Sequence, residues 1–104
     1  MSNVMKTALA VSALLGAASA AEAQTNVSGV VQAVYADPSD VVIQLDVVGP
    51  CGTAFYHVRR TNVNFNQMFE VARTAIATNK RLSVFVTATC QGTRNILSHA
   101  AILR

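Results

Sequence analysis

The sequence predicts an all-β domain with one helix (α+β), in the order strand-strand-strand-helix-strand-strand, which is the order of a five-stranded OB-like barrel. Two observations carry that expectation. Val-rich segments on either side of residues 62–80 alternate apolar and polar with period two, and the stretch between them repeats its apolar residues at spacings of three and four. A barrel of this type places its single helix between the third and fourth strands, where it closes one end. The strands are also nearly apolar on both faces, which favours a barrel, with one face inward and one available to an interface, over a flat sheet crossed by a helix.

The first strand is read from Asn26 to Tyr35, with Val30, Gln32 and Val34 on one side and Val31, Ala33 and Tyr35 on the other. Asp37-Pro38-Ser39-Asp40 is a turn, because Pro fixes φ and the Asp and Ser side chains bond local backbone. Val41 to Val48 is the clearest strand, with Val41, Ile43, Leu45 and Val47 facing one way and Gln44 and Asp46 the other. Gly49-Pro50-Cys51-Gly52 ends it and puts Cys51 at a loop tip; a third strand covers Thr53 to Arg59.

The period then changes. Phe65, Met68, Phe69, Ala72, Ala75 and Ile76 form the apolar stripe of an amphipathic helix. Asn64 is the expected N-cap, with Gln67 reaching back in a capping-box arrangement, and Asn79 the expected left-handed stop. A fourth strand is read from Leu82 to Cys90, a turn over Gln91 to Asn95, and a last strand from Ile96 to Leu103.

The chain is 52% hydrophobic and 12% charged, a balance skewed by its first residues. Residues 1–23 combine Lys6, an apolar core from Ala8 through Leu14 and Leu15, and small residues, and so predict a secretory signal peptide. Ala18-Ser19-Ala20 and Ala21-Glu22-Ala23 both suit cleavage, and the second would leave Gln24 at the new N-terminus. Residues 24–104 then form a single OB-like domain of about 80 residues, secreted or periplasmic, too short for a second domain or a Rossmann unit. No later run reaches the ~18 apolar residues of a membrane span.

In an oxidising compartment Cys51 and Cys90, the only two cysteines, read most simply as one disulfide, which on a loop of about 40 residues contributes roughly 4 kcal/mol. Their spacing does not suit a redox motif or a zinc site. The charge is mildly basic, with eight Lys or Arg against five Asp or Glu, net +3, and it is scattered rather than gathered into a stripe. Nucleic acid is therefore not an expected partner.

The run from Thr61 to Cys90, a short turn and the closing strand Ser98 to Arg104 resemble the pentameric B subunits of bacterial AB toxins of the Shiga toxin B and subtilase cytotoxin B kind, over nearly the whole mature chain. The likeness lies in element order, helix position, a Cys closing the fourth strand and a C-terminal strand ending in Arg. Small solitary exported bacterial proteins of unassigned role resemble it more closely. The resemblance implies an OB-fold protomer, a homo-oligomeric pentamer, and glycan binding through surface loops. Toxin B subunits commonly lay a sugar ring on an aromatic side chain; this chain has no Trp, and Val63 stands just before the helix N-cap.

Chemistry-bearing residues are sparse. No nucleophile-elbow, metal-ligand or phosphate-loop pattern is present, so the expectation is a protein that is not an enzyme and carries no cofactor or metal. His57 and His99, on separate strands, read as surface or interface residues, with a pH-sensitive or metal-binding pair as the alternative should they face each other. Tyr35, Phe55 and Tyr56 read as interface or stacking residues, and Phe65, Met68 and Phe69 as core. Asp37 in the first turn, Thr61 and Asn62 before the helix, and Arg94 and Asn95 in the last turn are the polar groups expected to line a ligand groove, since carboxylate, amide and guanidinium groups on fixed loops suit sugar hydroxyls. The function expected is an exported, non-enzymatic binding module for a glycan or a protein. The alternatives are a self-associating structural protein of the bacterial envelope, or a toxin B subunit with a separate catalytic partner.

Overall fold

The computed structural model of the chain describes residues 24–104; the expected signal peptide lies outside the described residues. Strands β1 (Thr25–Ala36), β2 (Asp40–Leu45) and β3 (Phe55–Arg59) precede helix α1 (Phe65–Thr78), and β4 (Arg81–Val86) and β5 (Asn95–Ile102) follow it. The described residues are thus mostly β, with one helix and five strands. Around the closed sheet the spatial order is β1-β2-β3-β5-β4, so β5 is inserted between β3 and β4 and the order in space differs from the order along the chain.

Closure depends on the length of β1. Its first half pairs antiparallel with β4, Thr25 opposite Val86 through Val30 opposite Arg81, and its second half pairs with β2, Val31 opposite Leu45 through Ala36 opposite Val41. The register slips between Val31 and Ala33, where Gln32 is an extra residue. Such a bulge bends the strand and changes which side chains point inward. Val31 is buried and Val34 also packs on the core, so simple alternation, which sets them on opposite faces, fails there. The opposite seam is a short parallel contact, Tyr56 and His57 of β3 opposite Asn95 and Ile96 of β5. Parallel neighbours need a long crossover, here supplied by α1 and β4.

Every strand contributes to the interior: Ile43 and Leu45 of β2, Tyr56 and Val58 of β3, Leu82 and Val84 of β4, and Leu97 of β5 are fully or almost fully buried, beside Val31 of β1. Tyr56 carries a polar tip into this core. Its hydroxyl donates to the Val47 carbonyl at 2.8 Å, and burial pushes its phenol up to about 12.

Helix α1 packs through Met68, Ala72 and Ala75, with Phe65, Phe69 and Val71 half-buried beside them. That line is rotated from the expected stripe, so Ile76 is 40% exposed. Asn79 ends the helix in the left-handed conformation (φ 55°, ψ 39°), as its type predicts. The capping box does not form. The Asn64 side chain makes no cap bond and instead donates to the Ser98 carbonyl at 3.1 Å, because the helix start lies against β5 and that carbonyl is within its reach.

Two strand ends also fall short of expectation. β2 stops at Leu45, where Asp46 turns out to accept the Val30 amide at 2.8 Å, and Val48 is left exposed. β4 stops at Val86, so Cys90 lies in the following loop rather than at the end of a strand. From there it bonds Cys51 in the loop after β2, with a Cα–Cα distance of 5.7 Å. The disulfide therefore joins two loops above the β3–β5 seam.

Candidate functional site

Residues of β2 and β3 that do not face the core face outward, and the register sets them in rows. Val42 lies opposite Tyr35 on one side and His57 on the other, and Gln44 lies opposite Phe55. Tyr35, Val42, Phe55 and His57 thereby floor an open groove of about 500 Å³, walled by Asp37 from the β1–β2 turn, Thr53 from the loop before β3, and Thr93 and Arg94 from the β4–β5 turn. The rings of Tyr35 and Phe55 lie 6.4 Å apart at 49°, and both side chains are well exposed, at 48% and 40%. Two open aromatic faces on the surface of the chain are available to a flat apolar partner.

A second cavity of about 370 Å³ adjoins the first. Ser39, Asp40, Arg59, Thr61, Gln91 and Ile96 line it, and Arg94 lines both. Between the two cavities Asp40 and His57 meet, Oδ2 to Nδ1 at 2.7 Å, both largely buried. A carboxylate held on Nδ1 fixes the ring's orientation.

Asp37 and Arg94 thus stand at the groove where sequence reasoning expected ligand contacts, and Thr61 at the adjoining cavity. Asn62 and Asn95 do not. Asn62 Nδ2 donates to the Leu97 carbonyl at 3.1 Å, tying the segment before α1 to β5. Asn95 is fully buried, its Oδ1 accepting the Cys51 amide and its Nδ2 donating to the Thr53 and Phe55 carbonyls. A turn position suggested exposure for it, but the residue pairs with Tyr56 in the β3–β5 seam, where its amide ties the Cys51, Thr53 and Phe55 backbone together.

No family model matches the chain, and no curated protein matches it.

The sequence alone does not mark Asp40, Thr53, Arg59 and Thr93 as site residues, and in it Tyr35 and Phe55 read as interface or stacking residues and His57 as a surface or interface residue. The usable signal was the outward phase of the β3 alternation, Phe55-x-His57-x-Arg59. Tyr56, grouped with those aromatics, is core. His57 and His99 do not form a pair: His57 meets Asp40, whereas His99 stacks on Phe85 with centroids 4.0 Å apart and bonds Ser98. Among the described residues no group of three or more potential metal ligands converges, and no helix is long and apolar enough to cross a membrane.

Proposed function

We propose that this chain is an exported, non-enzymatic binding module with an OB-like barrel, and that the groove over β2 and β3 takes a glycan. The observation that carries the reading is the pairing of two exposed aromatic rings, Tyr35 and Phe55, with hydrogen-bonding groups of opposite character, Asp37 and Arg94, around one open groove. Sugar rings offer an apolar face of C–H groups and an equatorial fringe of hydroxyls, so they need both kinds of surface at once. The location agrees: OB folds bind oligosaccharides and oligonucleotides on the face of strands 2 and 3 between the first and last hairpin loops. Here Val42, Phe55 and His57 belong to that face, and Asp37, Thr93 and Arg94 to those loops. The resemblance to AB toxin B subunits leads to the same ligand class, with the Tyr35–Phe55 pair in place of a Trp. Between the two OB ligand classes, the modest net charge of +3 favours the sugar.

A glycan array probed with the purified protein, followed by calorimetry on the best ligand, tests this. Phe55→Ala and Arg94→Ala should each weaken binding about tenfold, which is a loss of about 1.4 kcal/mol. A silent array from folded protein removes the reading.

A further inference from the structure

The smaller cavity is built for something the larger one is not. Asp40 lies directly opposite Arg59 in the β2–β3 ladder. Opposite charges so placed ordinarily take each other. In this barrel Asp40 turns to His57 instead, and the ion pairs among the described residues are Asp40–His57 and Glu70–Arg73. Among the described residues Arg59 and Arg94 therefore have no carboxylate partner within 4.0 Å, and both line the same cavity, one from β3 and one from the β4–β5 turn. The hydroxyls of Ser39 and Thr61 and the amide of Gln91 add neutral donors. The Asp40 carboxylate lines the cavity too, but one negative charge faces two guanidinium groups, and its Oδ2 is already held by the imidazole.

We infer that this cavity is an anion subsite of the neighbouring groove, so that the glycan it takes is an acidic one, carrying a carboxylate, sulfate or phosphate group. The inference rests on the sugar-binding reading above. Guanidinium forks match the paired oxygens of all three groups, which is why the shared chemistry rather than one of them is specified. Because Arg94 borders both cavities, a ring stacked on Tyr35 and Phe55 presents its acidic substituent to Arg94 and Arg59 together. Asp40 acts here as a positioning residue: by holding His57 it leaves Arg59 open.

The test is calorimetry of the purified protein with matched oligosaccharide pairs: a uronate and its methyl ester, a sulfated sugar and its desulfated form, a phosphorylated sugar and its dephosphorylated form. At least one acidic member should bind about tenfold or more tightly than its neutral partner, and the gap should narrow as salt rises from about 50 to about 500 mM. Arg59→Gln and Arg94→Gln should each erase most of that gap, while Phe55→Ala lowers both members alike. Equal affinity within every pair, or a preference that survives in the Arg59→Gln/Arg94→Gln double variant, overturns the anion subsite and leaves the sugar reading standing. A panel with no binding to any sugar overturns that reading. A separate readout needs no sugar: sulfate alone should shift the Nε–H resonances of Arg59 and Arg94, and resonances that stay fixed throughout the titration overturn the subsite.

Discussion

Asn95 Oδ1 accepts the Cys51 amide at 2.9 Å, so the first cysteine is held from β5 by a hydrogen bond as well as from the β4–β5 loop by its disulfide. The other end of the same amide donates to the Thr53 and Phe55 carbonyls, each at 3.0 Å. One fully buried side chain thus satisfies three backbone groups of the loop that leads into β3. Close packing surrounds it: a Cβ added to Gly49 would lie 2.8 Å from Asn95 Oδ1 and 2.8 Å from the Tyr56 ring.

Replacing Asn95 should therefore act on stability. Asn95→Ala leaves the Cys51 amide without its acceptor and takes one of two donors from each of the Thr53 and Phe55 carbonyls, which keep the Gly49 amide and the Thr53 hydroxyl, at about 1–3 kcal/mol in total. Asn95→Asp should cost more, because a carboxylate would face those carbonyls. Urea denaturation should show a lower midpoint at an unchanged slope. A midpoint that did not move would mean the loop has other supports.

Tyr56 makes the barrel sensitive to base. Its phenol is displaced from 10 to about 12 by burial, so the folded state keeps a proton that the unfolded state loses. Stability from this group is complete below pH 10 and is lost as pH rises towards 12, by about 3 kcal/mol over that window. Spectroscopic titration should show Tyr56 ionising late and together with unfolding. In Tyr56→Phe that alkaline loss should disappear, although the variant starts less stable because the Val47 carbonyl loses its donor.

What could be read from residues alone was whatever depends on near neighbours. The period-two face of β2, with Val41, Ile43 and Leu45 inward, and the period-3.6 face of α1 follow from adjacent side chains, as does the left-handed stop at Asn79. The extra residue at Gln32, the parallel seam at Tyr56 and Asn95, and the meeting of Asp40 with His57 are set by which strands come together, and no local pattern encodes that. The site divided along the same line. Asp37, Thr61 and Arg94 lie where turn composition suggested, but the Asn62 and Asn95 amides, of the same chemistry, bond backbone carbonyls nearby.

The disulfide closes a loop of 39 residues, which in the chain-entropy account contributes about 4 kcal/mol. For so small a barrel this is much of the total. Cys51→Ser/Cys90→Ser should melt well below the oxidised protein, and reductant should lower the melting temperature of the native chain to a similar degree. Thr53 and Thr93, groove residues, lie within three positions of the two cysteines, so reduction should also weaken ligand binding. A melting temperature indifferent to reductant would show that the hydrogen bonds of Asn95 and of the loop's own backbone suffice to hold it.

Two glycines should respond to alanine for opposite reasons. At Gly29, opposite Leu82 in the β1–β4 ladder, a Cβ would lie 2.5 Å from Asp46 Oδ1, 2.9 Å from Val47 Cγ1 and 3.4 Å from Leu45 Cβ. The carboxylate cannot move aside freely, because it accepts the Val30 amide where β2 has ended. Gly29→Ala should cost about 1–3 kcal/mol by overpacking, and any larger residue more. At Gly92 there is open space, but φ is +63°, so alanine there costs roughly 1 kcal/mol of backbone strain. Asparagine separates the two causes. Gly92→Asn should recover most of the stability that Gly92→Ala loses, since Asn tolerates the left-handed region, whereas Gly29→Asn should be worse than Gly29→Ala. Thermal denaturation of the four variants gives the ranking, and equal losses for Ala and Asn at Gly92 would rule out backbone strain as the cause there.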